Sequence, residues 1–478
     1  MNNVRIQWDN KSLGFIQMRY TDLVGKFLAR YLSKPDDLEG FFRDGIGLDG
    51  SSVRGFADID DSDLLLIPDM TTGRVVPVSK DRMIATVIAD VYKGFSQGRL
   101  KSDPRYASQR MQKYLEDKNM LCQLGPEVEC FIIDEMRFSR NDGKQQVDLI
   151  SSEQEGSSEY PIMNKQGYDC PPFQDSLLEL RLEVAEILKK YYAIDVTNAN
   201  HEVASGGQIE INFAHATLTQ AADNVQMFKD AIRNAAKNQG KIATFMPKPF
   251  FDHETIFSSK KKNHADNGSG MHVNVSVWER GGKRNLFYDP NDSYAELSQI
   301  GRYFIGGILE HASSLSAIVA PTINSYRRLV PGFEAPVYLG WARGNRSAVI
   351  RVPAVEKNSA RSKRIEFRAP DPSANPYLAF SAIVAAGIDG ISKKIEPGDM
   401  VDENIYSLSD SKKRALGITA LPSSLEQALS ALKSDSAYLL QCCFTTELLQ
   451  SYLKLKEKET KEGKAKGRSW QIRQYYDV

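Results

Sequence analysis

The chain has 478 residues, 41% hydrophobic and 26% charged, which excludes a disordered polymer and is long enough for more than one domain. Lys and Arg number 61 and so do Asp and Glu, so the net charge is zero. That balance excludes bulk electrostatic attraction to nucleic acid or to an anionic membrane. Met1–Gly14 shows no basic segment leading into an apolar core, and no apolar run is long enough to span a bilayer, so a signal peptide and a membrane span are not expected. Cys122, Cys130, Cys170, Cys442 and Cys443 are odd in number and include no CxxC pair. The expectation is reduced thiols in a cytoplasmic protein.

In chain order, Val4–Trp8, Gly14–Tyr20, Phe27–Tyr31, Leu64–Pro68 and Ile84–Val91 read as short strands around a Gly-rich loop, Asp44–Ser52. A helix is expected over Asp103–Asn119, with Asp103 as N-cap and Pro104 in the first turn, and it opens a larger second domain. The expected division is therefore 1–101 and 102–478. Residues 139–170 are polar and rich in Gly and Ser and read as a long loop. Gln174–Tyr192, Leu218–Gln239, Tyr294–Ala320, Asn375–Ile391 and Ser424–Ser434 carry helical periodicity. Lys454–Arg468 is dense in charge and reads as a solvated helix or surface segment. Strands and helices mix without strict alternation, so the class is α+β.

Four strand-like segments hold the chemistry. Residues i and i+2 of a strand share a face. Glu127 and Glu129 fall together in Gly125–Ile133, as do Gln208, Glu210 and Asn212 in Gln208–Phe213. His272, Asn274 and Ser276 align in His272–Trp278, and Arg364, Glu366 and Arg368 in Arg364–Arg368. Each could be the wet face of an ordinary sheet. Taken as one face, however, the carboxylates would repel one another unless cations neutralise them. Glu with one His suits hard divalent ions, and arginines beside such ions suit phosphate or carboxylate ligands.

At these residues the sequence resembles type I glutamine synthetase, over nearly the whole chain. The motifs are Asp49-Gly-Ser-Ser52, Gly125-Pro-Glu-Val-Glu129, Thr244–Pro249, Asn267–His272, Asn324–Gly332, Asn345–Ala348 and Asn375-Pro-Tyr377. The resemblance implies a small N-terminal β-grasp-like domain and a larger catalytic domain whose antiparallel sheet forms a half-barrel surrounded by helices. It implies ATP-dependent ligation of ammonia to the γ-carboxylate of L-glutamate through γ-glutamyl phosphate. Two or more Mg²⁺ or Mn²⁺ ions are implied per site, one on Glu129, Glu202 and Glu210 and one on Glu127, His272 and Glu366. Arg328, Arg368, Asn267 and Gly268 match glutamate contacts. Arg346 and Arg351 match contacts to the transferring phosphate, and Asn274, Ser276, Arg361 and Arg364 nucleotide contacts. Asp49 matches the ammonium-binding carboxylate supplied by a neighbouring subunit, and Glu334 the flap carboxylate that accepts a proton. Tyr168 and Ser52 are expected beside the ammonium. His201, His215, His253, His264 and His311 are expected to be structural or exposed.

The resemblance further implies a homo-oligomer, a dodecamer of two hexameric rings. Its C-terminal tail, Trp470–Val478, would be buried against another subunit because its aromatic residues are costly to leave in water. Three departures stand out. An insertion separates Pro249 from Asn267 and is expected to be a surface excursion around Ser258–His264 that leaves the site intact. Asn274 stands where bacterial members often have His. Tyr406 lies near a position adenylylated in some members but lacks their flanking pattern, and is expected to be an unmodified surface tyrosine. Two other readings remain open: a ligase joining glutamate to a larger amine such as a polyamine, and an inactive scaffold or regulatory binder.

Overall fold

Alternating apolar residues build the first sheet. In the computed structural model, which describes residues 14–79, 82–94, 97–141, 144–154, 160–250, 266–464 and 466–478, six strands form this sheet. They are β1 (Phe15–Thr21), β2 (Phe27–Ser33), β3 (Ile46–Asp49), β4 (Asp63–Pro68), β5 (Arg74–Ser79) and β6 (Arg82–Lys93). The order is β2-β1-β6-β4-β3, with β5 on β6; β1 and β6 run parallel and the other pairs antiparallel. Ile16, Met18, Leu64, Leu66, Val87 and Val91 point to one side and make its core. β3 and β5 had not been expected, the first because it lies in the Gly-rich loop and the second because Pro77 interrupts its pattern. The expected strand at Val4–Trp8 and the excursion at Ser258–His264 lie outside the described residues.

The second sheet carries the polar strands. It comprises β7 (Met120–Ile133), β10 (Val196–His201), β11 (Gln208–Phe213), β12 (Ala216–Thr217), β13 (Ile242–Thr244), β14 (Met271–Glu279), β15 (Trp341–Arg343), β16 (Ile350–Val352) and β17 (Ile365–Phe367). Its order is β10-β11-β7-β14-β17-β16-β15, a half-barrel that is antiparallel except for the β15–β16 pair. Val128, Cys130, Ile209, Ile211, Val273 and Val275 turn their apolar side to the main core, beneath helices Pro104–Asp117, Leu218–Asn238 and Pro376–Lys393. The opposite face gathers the carboxylates.

Helix starts are capped: the side chains of Asp103, the expected N-cap, and of Asn375 and Ser424 each accept a backbone N–H of the first turn. The Tyr294–Ala320 expectation resolves into helices Gln299–Glu310 and Ala312–Val319, parted at His311, whose ring bridges Asp389 and Asp435. The charge-dense run continues helix Thr446–Gly463, which buries Tyr452, Lys456 and Thr460. One expectation is corrected. The polar segment is not wholly a loop: β8 (Glu135–Asn141) and β9 (Lys144–Ile150) form a hairpin that runs into it, and buried Val147 and Leu149 pack beside Phe131. The aromatic tail packs partly within its own chain, with Trp470 and Tyr476 left half-buried. Helix Arg468–Tyr475 puts Ile472 and Tyr475 into that same cluster, and Tyr475 donates to Glu459 at 2.6 Å while Lys26 pairs with Asp477 at 2.7 Å.

Arg105 joins the two sheets' domains. Its buried guanidinium reaches Asp69 and Asp90 of the first and Asp223 of the second, at 2.8, 2.6 and 2.9 Å. Asn375 adds hydrogen bonds to the carbonyls of Asp22 and Leu23.

Candidate active site

Register assembles the cluster. Glu210 of β11 lies opposite Glu129 of β7, and His272 of β14 opposite Glu127. Glu366 of β17 faces Asn274 on one side and Arg351 of β16 on the other. Glu127, His272 and Glu366 each bring one potential ligand atom within 4.8 Å of the others; so do Glu129, Glu210 and His272. Glu202, expected with Glu129 and Glu210, falls outside that second set. It sits just past β10, its N–H bonded to the Gln208 carbonyl at 2.8 Å, and lines the same cavity.

The electrostatics of these groups differ. Burial, reinforced by neighbouring Glu129 and Glu127, pushes the Glu210 carboxyl up to about 8. Burial also raises Glu129 to about 7, although Arg328, the Gly270 N–H and Arg368 pull it down while Glu127 raises it. Glu202 is driven well above the usual carboxylate range by burial and by Glu129 and Glu210. Burial and then Arg368 hold His272 well below the usual histidine range, so its imidazole is neutral. Neutral imidazole and crowded carboxyls are the protonation states a divalent cation would complete, and the donor set fits a hard ion. The carboxyls are also oriented: Glu129 accepts from Gln208 at 2.9 Å and from the Gly270 N–H at 2.8 Å, and Glu210 accepts from Asn212 at 2.9 Å. Asn212 Oδ1 is buried without a partner, a free acceptor beside the cluster. Glu366 differs from the rest, since Arg351 and Arg368 both donate to it.

Two cavities meet at Glu127. The larger, about 830 Å³, contains Tyr168, Asn267, Gly268, Arg328, Glu334, Arg346, Arg351 and Arg368 in its walls, together with Glu129, Glu202, Glu210 and His272. The smaller, about 400 Å³, is lined by Asn274, Ser276, Arg361 and Arg364. Asn198 and Asn212 also belong to both. Asn274 links the two halves: it donates to Glu127 at 2.8 Å and accepts from Arg364 at 2.9 Å. Arg328 is buried and donates to the carbonyls of Ala369 and Arg368. A Cβ on Gly268 would stand 2.6 Å from the Pro247 carbonyl oxygen, so that position admits only glycine, and one on Gly270 would press on the Arg328 guanidinium at 2.6 Å. Asn267 Oδ1 and Arg368 Nε are buried and unpartnered, as a site built for a polar ligand requires.

Asp49 and Ser52 are not in these walls. Asp49 is exposed and lines a separate concavity of the N-terminal sheet with Tyr31 and Leu64. Its carboxylate accepts from the Ser51 hydroxyl and the Ser52 hydroxyl, both at 2.7 Å, which holds it below the usual range. Several wall residues had not been expected. Lys165, Phe333 and Asn404 enter from loops with no periodic signal. Tyr406, expected on the surface, is half-buried and lines the larger cavity, its hydroxyl donating to the Ala335 carbonyl at 2.8 Å. Of the histidines, His201 pairs with Glu153 at 2.9 Å, His311 is the structural bridge described above, and His215 lines the smaller cavity.

Comparison with known proteins agrees with this layout. Residues 12–94 match the family model of the glutamine synthetase beta-Grasp domain, and residues 101–475 that of the glutamine synthetase catalytic domain. Curated relatives named glutamine synthetase include those of Sulfolobus acidocaldarius, 45% identical over 98% of this chain and 96% of that protein, and Frankia alni, 38% identical over 98% and 97%. Among solved structures, Plasmodium falciparum glutamine synthetase superposes with a TM-score of 0.85 at 25% identity, covering 100% of this chain and 99% of that one. A GmaS/ADP complex gives 0.80 at 28% identity with full coverage of both. The chain belongs to the glutamine synthetase family.

Proposed function

We propose that this chain ligates ammonia to the γ-carboxylate of L-glutamate, using ATP and giving L-glutamine, ADP and phosphate. The observation that carries this reading is the junction of the two cavities at Glu127, with the carboxyl–imidazole cluster between an arginine-lined amino-acid half and an arginine-lined nucleotide half. One oxygen of the γ-carboxylate attacks the γ-phosphorus of ATP, and the bond to the ADP oxygen breaks. Ammonia then attacks the acyl carbon and phosphate leaves. Such transfers need alignment and charge neutralisation rather than a protein nucleophile.

The residues divide that work. Arg328, Arg368, Asn267 and Gly268 hold glutamate. Arg346 and Arg351 neutralise the phosphate in transfer, and Asn274, Ser276, Arg361 and Arg364 bind the nucleotide. Glu127, Glu129, Glu202, Glu210, His272 and Glu366 hold two or more divalent ions, Mg²⁺ or Mn²⁺. Those ions, when bound, neutralise charge on the phosphates and the attacking carboxylate. Asp49 with Ser52, and Tyr168, form the ammonium pocket; Asp49 or Glu334 takes the proton that ammonium must lose before it is a nucleophile. Because Asp49 lies in unit 1–101 outside the cavity of unit 102–478, we place it in the cavity of a neighbouring copy. A homo-oligomer is thus required, and we assign a cytoplasmic dodecamer of two hexameric rings.

The test is glutamine formation and phosphate release with glutamate, ATP and either Mg²⁺ or Mn²⁺, comparing ammonia with putrescine. Ammonia should support turnover and putrescine should not. The reverse would make the chain a ligase of larger amines, and no turnover with either would make it a binding protein.

A further inference from the structure

The segment carrying Glu334 is held by contacts that the reaction chemistry does not require. Glu334 has φ +57°, in the left-handed region that a glutamate enters only when its surroundings hold it there. Around it, Asn267 donates to the Glu334 carboxylate at 3.1 Å and Tyr406 to the Ala335 carbonyl at 2.8 Å. Lys165 donates to the Gly332 carbonyl at 2.8 Å and lies 4.3 Å from the centre of the Phe333 ring. Lys248 is closer still, its ammonium 3.4 Å from the same centre.

Lys248 is an unusual residue. Its side chain is buried, yet among the described residues its ammonium makes no hydrogen bond or ion pair; the Phe333 ring lies against it. Its position is rigid. The Asn324 side chain clamps its backbone from both sides, accepting from the Lys248 N–H at 2.7 Å and donating to the Lys248 carbonyl at 3.0 Å. The preceding residue, Pro247, accepts the Ser269 N–H at 2.7 Å, which ties Lys248 to the Asn267–Gly268 loop. Burial, with Lys165 and Arg328 close by, pulls the ammonium down to about 8, although the Asp266 carboxylate opposes the shift from a distance. A buried cation that no carboxylate touches is costly, so a fold keeps one only where it does something. Here it offers a fixed charge for an aromatic ring that arrives on a loop.

We propose that Lys248 and Lys165 are positioning residues that clasp Phe333 and thereby hold the Glu334 segment closed over the larger cavity. The inference rests on the reading of that cavity as the glutamate site. Closure of such a segment excludes water from a reactive acyl phosphate. A loosened clasp therefore lets water take the place of ammonia, and phosphate is released without glutamine.

Four variants of the full-length protein test this. Lys248→Met removes the cation and keeps the stem, and Phe333→Leu removes the ring and keeps apolar bulk. Lys248→Arg and Phe333→Tyr retain each partner and should restore the clasp. Loss of one cation–ring contact should shift the closed-to-open ratio of the segment by about 2- to 30-fold. Two readouts follow it. Phosphate released per glutamine formed should rise in Lys248→Met and Phe333→Leu and return towards one in the two conservative variants. Amide exchange of residues 333–335 should speed up by the same factor in the first pair, and this second readout needs no turnover. If wild type made no glutamine, the cavity reading would fail while amide exchange still judged the clasp. Lys248→Met should also keep or raise the thermal midpoint, because an unpaired buried charge is gone. A lowered midpoint with unchanged exchange and unchanged phosphate-to-glutamine ratio would reduce Lys248 to a packing residue and overturn the proposal.

Discussion

Arg105 gathers Asp69, Asp90 and Asp223 around one guanidinium, whereas Glu129, Glu202 and Glu210 crowd together with no Lys or Arg ion pair recorded for any of them among the described residues. Asp69 and Glu210 show the contrast, for they move in opposite directions. Burial raises Asp69, but Arg105 and Thr71 bring it below the usual range. Glu210 is carried up to about 8 by the same kind of burial, with like charges adding to it. A cluster that serves the fold balances its charges from within the chain. A cluster that serves chemistry leaves a balance for a ligand to complete.

Removing that ligand should have the largest effect. Stripping divalent ions with a chelator, or changing Glu210→Gln, should lower glutamine formation by at least about 10³-fold, read as phosphate release with circular dichroism unchanged. Retained activity would merge the two clusters into one structural class. The reverse damage is expected at Arg105. Arg105→Met strands three carboxylates and should cost about 3–5 kcal/mol in urea unfolding, with no rescue by Mg²⁺ or Mn²⁺.

Acidity should separate them next. Glu129 and Glu210 have folded values of about 7 and about 8 against an ordinary 4.5. Between about pH 5 and 8 the folded metal-free chain therefore holds more protons than the unfolded one, and its stability falls as pH rises. The metal-free thermal midpoint should drop across that window, and saturating metal should flatten the slope by displacing the protons. A metal-free midpoint that rises over the same window would contradict the raised values. The smallest effect concerns orientation alone. Asn212→Ala removes the amide that aims Glu210 and should weaken metal affinity about 10-fold, measured by calorimetry, without moving the metal-free midpoint.

Much of this site was legible along the chain because strand alternation is local. Glu127 with Glu129, Glu210 with Asn212, and His272 with Asn274 could each be assigned to one face from spacing alone. What spacing cannot supply is register, and register is what sets Glu210 against Glu129 and His272 against Glu127. Loop residues were illegible for the same reason. Lys165, Phe333 and Tyr406 share no period with anything, and three-dimensional closure alone brings them together. The β8–β9 hairpin was hidden by its polar sequence, since only one side of it is covered. The tail differs again: Tyr475 is buried within the chain while Trp470 and Tyr476 stay half-exposed, and composition does not say which aromatics a chain covers by itself.

Asp49, outside the cavity it is proposed to serve, has a further consequence. In such an assembly the unit of inheritance and the unit of catalysis are not the same object. A chain altered at Asp49 and a chain altered at Arg346 would each be inactive alone. Co-assembled in equal amounts, about a quarter of their neighbouring pairs would join an intact Asp49 to an intact cavity. Two defective genes would then complement one another, and the fraction of activity regained would count the shared boundaries directly.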